Sequence, residues 1–193
     1  MNKKVPFLYH FGKFILGPIF KFYYNPKIIG KENIPKEGSI IIAGNHKHLY
    51  DQCLTIIATK RGIHYMAKKE YFDDKKVAWF FKGTGCISVD RQNKDENAKN
   101  MALEVLNAGG ALGIFPEGTR NKTKEKLLPF KYGAVSLANK TDSLIVPFGI
   151  TGDYKFRSKN LTIRYGKPFK TGDLSLEEAN QKLYKEVEKL MEK

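Results

Sequence analysis

The sequence predicts an α/β fold, a largely parallel central sheet flanked by helices, with an N-terminal amphipathic helical segment set apart from it. Three observations carry that prediction. Short strand-type apolar runs alternate along the chain with segments of helical periodicity, the pattern of a sheet with helices on its faces. Polar and charged residues gather directly after those runs, where ligands bind in open α/β sheets. Residues 1–31 differ in composition from everything after them, holding Lys3, Lys4, Lys13, Lys21, Lys27 and Lys31 with Glu32 as the first acidic residue.

Between those lysines lie Phe7, Leu8, Tyr9, Phe11, Phe14, Ile15, Leu16, Ile19, Phe20, Phe22, Tyr23 and Tyr24. Wound as a helix at about 100° per residue, His10, Lys13, Gly17 and Lys21 form a narrow polar stripe and nearly all the rest is apolar. Core burial would suit such a helix. Its terminal position, aromatic content and positive charge favour a helix lying in the membrane interface, with its lysines meeting anionic lipid and a bend at Gly17-Pro18. Residues 1–32 therefore form a docking segment and 33–193 the main domain, opened by the turn chemistry of Asn33-Ile-Pro-Lys-Glu-Gly38.

Within that domain Ser39–Ala43 reads as a buried strand and Leu49–Lys60 as a helix with Leu54, Ile57 and Ala58 on one face, stopped by Gly62. His64–Ala67 is a short strand, Asp73–Lys82 a helix and Gly85–Val89 a strand ending in Asp90-Arg91. Lys94–Ala108 is a helix closed by Gly109-Gly110. Ala111–Phe115 is a strand broken by Pro116, Lys131–Asn139 a helix, and Leu144–Val146 a strand running into Pro147. Leu161, Ile163 and Tyr165 alternate as a half-exposed strand. Ser175-Leu-Glu-Glu178 is a capping box opening a helix whose apolar face carries Leu176, Ala179, Leu183, Val187 and Leu190.

Composition bounds the function. With 193 residues, 41% hydrophobic and 28% charged, the chain suits one domain with a proper core. An excess of 34 Lys+Arg over 20 Asp+Glu, net +14, points to an anionic partner: a membrane surface, a phosphorylated substrate or nucleic acid. A solvated basic surface is the plain alternative. Cys53 and Cys86 stand far apart in no metal or redox spacing, which fits a reducing compartment. No cleavable signal is expected, and no apolar run approaches the roughly 20 residues of a membrane-spanning helix.

Parallel strands bring the loops after them to one edge. After the first strand come Asn45, His46 and Asp51; after the third, Asp90 and Arg91. Pro116-Glu117-Gly118-Thr119-Arg120 follows the fourth and Pro147-Phe148-Gly149-Ile150 the fifth. A base, two arginines and a buried-looking glutamate in one crevice describe a site for an anionic substrate that must lose a proton. On a continuous helix, residues five apart diverge by about 140°, so His46 and Asp51 meet only if His46 stands in the turn before the helix. There Asp51 would bond one ring nitrogen and leave the other as a base. His48 and Asp51, three apart, are the rival pair, and an Asp capping the helix beside a surface His is the plain reading of either.

These blocks carry a resemblance. Asn45-His-Lys-His-Leu-Tyr-Asp51 resembles the NHx4D block of the glycerolipid acyltransferases, the 1-acylglycerol-3-phosphate acyltransferase family. Gly85-Cys-Ile-Ser-Val-Asp-Arg91 resembles the second block, Phe115-Pro-Glu-Gly-Thr-Arg120 the third and Val146-Pro-Phe-Gly-Ile150 the fourth. All stand in the family's order across residues 39–151. The resemblance implies transfer of a fatty acyl group from an acyl thioester, acyl-CoA or acyl carrier protein, to the free hydroxyl of a lysophospholipid. The acceptor most expected is 1-acylglycerol 3-phosphate, giving phosphatidic acid; another lysolipid or glycerol 3-phosphate is the alternative. It makes His46 the base and Asp51 its orienting acid. Arg91 and Arg120 become phosphate ligands, with Glu117, Gly118 and Lys131 beside them. Pro147 and Gly149 are assigned to the acyl-donor channel. No cofactor beyond the co-substrate is implied, and the expected place is the cytoplasmic face of the membrane, held peripherally through anionic lipid. The family often has Ser two residues after the histidine, where this chain has His48.

Two other classes are weaker. His46-Lys-His48 is an H-x-H pair of the kind metal-dependent hydrolases use, but only His10 and His64 remain as further imidazoles. A nucleic-acid-binding protein would explain the charge, yet no HTH, RNP or zinc pattern occurs, so no nucleic-acid partner is expected.

Overall fold

The computed structural model of the protein describes residues 5–90, 93 and 95–192. In chain order the elements are α1 (Phe7–Tyr24), β1 (Lys27–Ile29), β2 (Ile40–Gly44), α2 (Asp51–Ala58), β3 (Ile63–Lys68), α3 (Glu70–Asp73), α4 (Ala78–Gly83), β4 (Ile87–Val89), α5 (Glu96–Asn107), β5 (Ala111–Ile114), α6 (Gly133–Thr141), β6 (Leu144–Thr151), β7 (Thr162–Tyr165) and α7 (Leu176–Glu192). The strands form one sheet in the order β1-β7-β6-β2-β5-β3-β4. Every pairing is parallel except β6 with β7.

Alternation along the strands divides the core into two layers. Ile41, Ala43, Leu112 and Ile145 pack against α5, α6 and α7, while Ile40, Ile42, Val146 and Phe148 pack with Leu54 of α2 on the other side. Since β6, β2 and β5 are adjacent and parallel, the loops leaving their carboxyl ends share one edge. The predicted capping box of α7 forms: Ser175 Oγ accepts from the Glu178 N–H at 3.2 Å and the Ser175 N–H donates to Glu178 Oε2 at 2.8 Å.

Several boundaries differ from the sequence expectation, each for a local reason. The Leu49–Lys60 helix is confined to Asp51–Ala58, because the Asp51 carboxylate folds back onto the N–H groups of Lys47 and His48 and holds that segment as a turn. The Asp73–Lys82 helix is split into α3 and α4, since the Asp74 side chain accepts the Lys76 N–H and makes a turn between them. Strand β6 runs on through Pro147. Its antiparallel pairing slips by one residue between Ile145–Phe169 and Phe148–Tyr165, a bulge that spares the missing N–H. Strand β7 is not half-exposed: Leu161, Ile163 and Tyr165 are buried and β1, a strand too short to announce itself by pattern, covers its edge.

Helix α1 continues through Pro18. A mixed face packs inward, with Tyr9, Lys13, Gly17, Phe20 and Tyr24 against the domain, while His10 and Lys21 of the polar stripe are exposed. Gly17 is buried against Ile57 of α2, and Lys13 donates through Nζ to the Thr59 carbonyl just beyond the carboxyl end of α2. Desolvation, with repulsion from Lys21, lowers the Lys13 pKa to about 8. Lys13 is thus a cap on α2 and does not join Lys21 in facing outward, contrary to the expectation for the stripe. The opposite face is aromatic and turned out, with Phe7 80%, Phe14 77% and Phe22 67% exposed, whereas Tyr9 is buried. Among the described residues no helix is long and apolar enough to cross a membrane.

Candidate active site

Strand β2 ends at Gly44, and the next residue fastens the loop to its neighbour. The buried Asn45 amide donates to the Ile150 carbonyl at 2.9 Å and accepts the Ile150 N–H at 2.7 Å, joining the carboxyl end of β2 to that of β6. His46 then stands in the turn before α2, and Asp51 is the first residue of that helix. This placement lets them meet, with His46 Nδ1 2.8 Å from Asp51 Oδ2. Asp51 is 0% exposed, and Oδ2 also accepts the Lys47 and His48 N–H groups, each at 2.7 Å. Its other oxygen, Oδ1, accepts the Tyr154 hydroxyl at 2.6 Å. The carboxylate is therefore matched by donors on every side, which is how a buried charge is tolerated.

The same contacts separate the two histidines. A carboxylate only accepts, so in neutral His46 the proton sits on Nδ1 and Nε2 is the basic nitrogen. His48 Nδ1 instead accepts the Tyr50 N–H at 3.3 Å, which leaves the neutral ring with its proton on Nε2. The His46 ring stacks on Phe115 with centroids 4.0 Å apart, and the His48 ring stacks on Tyr154 at 4.1 Å. Partial burial depresses the His48 pKa, opposed by Asp51 and reinforced by Arg120, which brings the Arg120 guanidinium within electrostatic reach of this loop. The H-x-H pair is thus spent on separate partners, and among the described residues no three His, Cys, Asp or Glu side chains cluster as metal ligands.

The loop after β5 closes the other side. Glu117 is buried, and its oxygens accept the His46 N–H at 2.6 Å and the Leu128 N–H at 2.9 Å. Desolvation raises its pKa, with the two backbone donors opposing. Its carboxylate clamps the His46 turn to the Leu127–Phe130 stretch, a contact the sequence did not foretell. Gly118 has φ +71, and a Cβ there would lie 2.9 Å from Lys131 Cε, so glycine lets the lysine stem cross the loop. The Lys131 N–H donates to the Pro116 carbonyl at 2.9 Å, and the Asn121 N–H to the His46 carbonyl at 2.7 Å. Glu117→Gln replaces one accepting oxygen by an N–H₂ that faces a backbone donor. It is expected to cost about 1–3 kcal/mol of stability, read as a lower denaturation midpoint.

The structure brings His46, Asp51, Glu117, Gly118 and Lys131 together at the expected edge, with Arg120 exposed beside them. Pro147 and Gly149 lie elsewhere: Gly149 borders Leu190 of α7 and Pro147 lies against Gly166, on the sheet face opposite α2. Arg91 falls outside the described residues. Sequence reasoning missed Tyr154 altogether, and gave Asn45 and Phe115 no contact. The signal for Tyr154 was its place in the loop after the Val146–Ile150 block.

Likeness to known proteins agrees with this geometry. The family model described as "Acyltransferase" matches residues 25–151, which sets the class. A 1-acyl-sn-glycerol-3-phosphate acyltransferase of Bacillus subtilis is 31% identical over 87% of this chain and 85% of its own length. Proteins of the same name from Borreliella burgdorferi and Cocos nucifera are 32% and 33% identical over 72% and 81% of the chain. The match spans only 56% and 54% of those two relatives. The crystal structure of the 1-acyl-sn-glycerophosphate (LPA) acyltransferase PlsC from Thermotoga maritima superimposes with TM-score 0.73 and 27% identity, over 92% of this chain and 78% of that one. The chain belongs to the 1-acylglycerol-3-phosphate acyltransferase family.

Proposed function

We propose that this protein transfers a fatty acyl group from an acyl thioester, acyl-CoA or acyl carrier protein, to the free hydroxyl of 1-acylglycerol 3-phosphate, forming phosphatidic acid. The observation that carries the reading is the 2.8 Å contact between His46 Nδ1 and the buried Asp51 carboxylate, which leaves Nε2 as the base. His46 Nε2 takes the hydroxyl proton as the oxygen attacks the thioester carbonyl, and Asp51 stabilises the imidazolium that forms. Collapse of the tetrahedral intermediate breaks the C–S bond, and the imidazolium returns its proton to the departing thiolate. No covalent acyl-enzyme is needed. Both thiols are unsuited to that role: burial pushes Cys53 up to about 11 and raises Cys86 as well. Arg120 and Lys131, with Arg91, are the phosphate ligands of this reading, and the excess of positive charge favours such an acceptor. Pro147 and Gly149, set on the sheet face opposite α2, would act on the donor channel only through the backbone of β6.

Acyl transfer from each thioester to a panel of lysolipids tests it. Product from 1-acylglycerol 3-phosphate supports the reading, and turnover confined to another acceptor overturns it.

The outward aromatic face of α1 supports docking on an anionic membrane at the cytoplasmic side, with the rings in the headgroup region and Lys21 and Lys27 near lipid phosphate. Phe14→Asp with Phe22→Asp is expected to weaken sedimentation with anionic vesicles by at least about 10-fold, two large apolar contacts being lost to charge, while the melting curve stays close to wild type. Undiminished sedimentation of that variant would sink the docking assignment.

A further inference from the structure

We propose that Tyr154 is a positioning residue of this site: its hydroxyl sets the Asp51 carboxylate that orients His46, and the loop carrying it takes its place from the carboxyl end of helix α1. The inference rests on the reading of His46 and Asp51 as base and orienting acid.

The geometry begins at Asp51 Oδ1, the oxygen that His46 does not use. Tyr154 donates to it at 2.6 Å across a sequence separation of 103. Oδ2 already serves His46 and two backbone N–H groups, so the Tyr154 hydroxyl fixes the remaining freedom of the carboxylate plane. It also draws charge from the carboxylate and so moderates the pull of Asp51 on the imidazolium. Burial and the Asp51 charge raise the Tyr154 pKa far above the ordinary phenol value, so the hydroxyl stays a donor throughout the working range.

The Tyr154 ring is held on two sides. His48 stacks on it with centroids 4.1 Å apart, and Tyr24, the last residue of α1, meets it edge-on at 5.5 Å and 79°. Tyr24 also packs on Tyr50, the residue just before Asp51, at 6.2 Å. The backbone of the loop is tied at both ends of this arrangement. The Arg157 N–H donates to the Tyr23 carbonyl at 2.6 Å, and Phe156 packs on the Tyr23 ring at 5.1 Å. On the other side Lys47 Nζ donates to the Gly152 carbonyl. The loop between β6 and β7 is therefore a bridge from the helix with the exposed aromatic face to the base and its acid.

Tyr154→Phe keeps the ring and both stacking partners and removes only the hydroxyl. An Asp51 oxygen is then left buried without its donor, which makes the carboxylate more proton-hungry. Either a stronger hold on the imidazolium or protonation of Asp51 itself moves the acid limb of the pH–rate profile upward. The other groups facing the pair are Lys47, His48 and Cys53 on its own segment, Tyr65 of β3, and Glu117 and Arg120 after β5, and none is altered by the substitution.

The experiment measures kcat, KM and the pH dependence of kcat/KM for the full chain on vesicles holding 1-acylglycerol 3-phosphate, with the acyl thioester the wild type turns over. Tyr154→Phe is expected to lower kcat by about 10-fold, the scale of one charge-assisted hydrogen bond, with KM within twofold and the acid limb displaced upward. Tyr24→Ala, which touches neither member of the pair, should move the limb the same way by less. A Tyr154→Phe enzyme with the wild-type profile, beside an inactive His46→Ala, would reduce Tyr154 to packing and leave the base assignment intact. An active His46→Ala would bring down the base assignment first, and this inference with it. A displaced limb for Tyr154→Phe with none for Tyr24→Ala would remove the part played by α1.

Discussion

Replacing His46 by alanine is expected to lower kcat by about 10³-fold, the range of a positioned general base, while the protein keeps its fold. Among the described residues the ring meets Asp51 through Nδ1 and stacks on Phe115, and 15% of its side chain is exposed. Initial rates beside a thermal melt read both halves of the result. His48→Ala is the control that gives the experiment its edge. Its neutral ring presents a protonated Nε2 and its Nδ1 is engaged with the Tyr50 N–H, so its loss should leave kcat within a few-fold of wild type. Reversal of the two results, with His48→Ala inactive, would move the base to the other histidine. The His48 pKa also has a consequence for stability. It lies below the ordinary value of histidine, so as pH falls through about 6.5 the unfolded chain binds the proton more readily than the folded one and stability is lost toward acid. Wild-type protein should therefore lose more of its stability between neutral and mildly acidic pH than His48→Ala does.

Asp51→Ala is the second large effect, and there activity and stability fall together. Asp51 anchors His46, two backbone N–H groups and Tyr154 from a position with no solvent access. Removing the carboxylate leaves all four donors without their acceptor, and about 3–5 kcal/mol is the scale of breaking a buried charged pair. Asp51→Asn separates the two roles. An amide oxygen can take the place of Oδ2 toward His46, Lys47 and His48, while the amide N–H₂ donates to a Tyr154 hydroxyl that turns round to accept. The loop then survives with its charge gone. Asp51→Asn is expected to fold nearly as well as wild type yet lose about 10²–10⁴-fold in kcat, the range seen when the charge behind a catalytic histidine is removed. Denaturant midpoints set beside single-turnover rates distinguish the two variants. Equal stability losses in both would show that the charge, and not the acceptor geometry, holds the loop.

The parts of this architecture that were legible in the sequence are those set by local chemistry. Strand-type runs ending in Gly44, Pro116 and Pro147 marked the ends of β2, β5 and the first half of β6, and parallel pairing brought the loops after them to one edge. The requirement that His46 stand outside the helix followed from helical geometry alone. What was not legible depends on partners distant in the chain. Pro147 reads as a stop, and only the slipped pairing with the Tyr165–Phe169 stretch lets β6 run on to Thr151 and carry Tyr154 to Asp51. β1 is three residues long, too short for a period. For α1 the periodicity did not divide the helix as the structure does: Lys13 and Gly17 of the stripe turn inward beside Tyr9, Phe20 and Tyr24, and His10 and Lys21 stay exposed. That division was made by Gly17 fitting Ile57 and by the Thr59 carbonyl receiving Lys13.

The orientation of α1 also bears on how encounters are counted. A protein docked through the outward rings of Phe7, Phe14 and Phe22 would hold α2, and with it the His46 turn, one helix diameter from the lipid headgroups. The proposed acceptor and its diacyl product are both amphiphiles that would never need to leave the bilayer. On the proposed reaction, search for the acceptor would then be a problem in two dimensions, governed by molecules per unit of surface and by lateral diffusion, while the proposed thioester donor alone would arrive from the bulk.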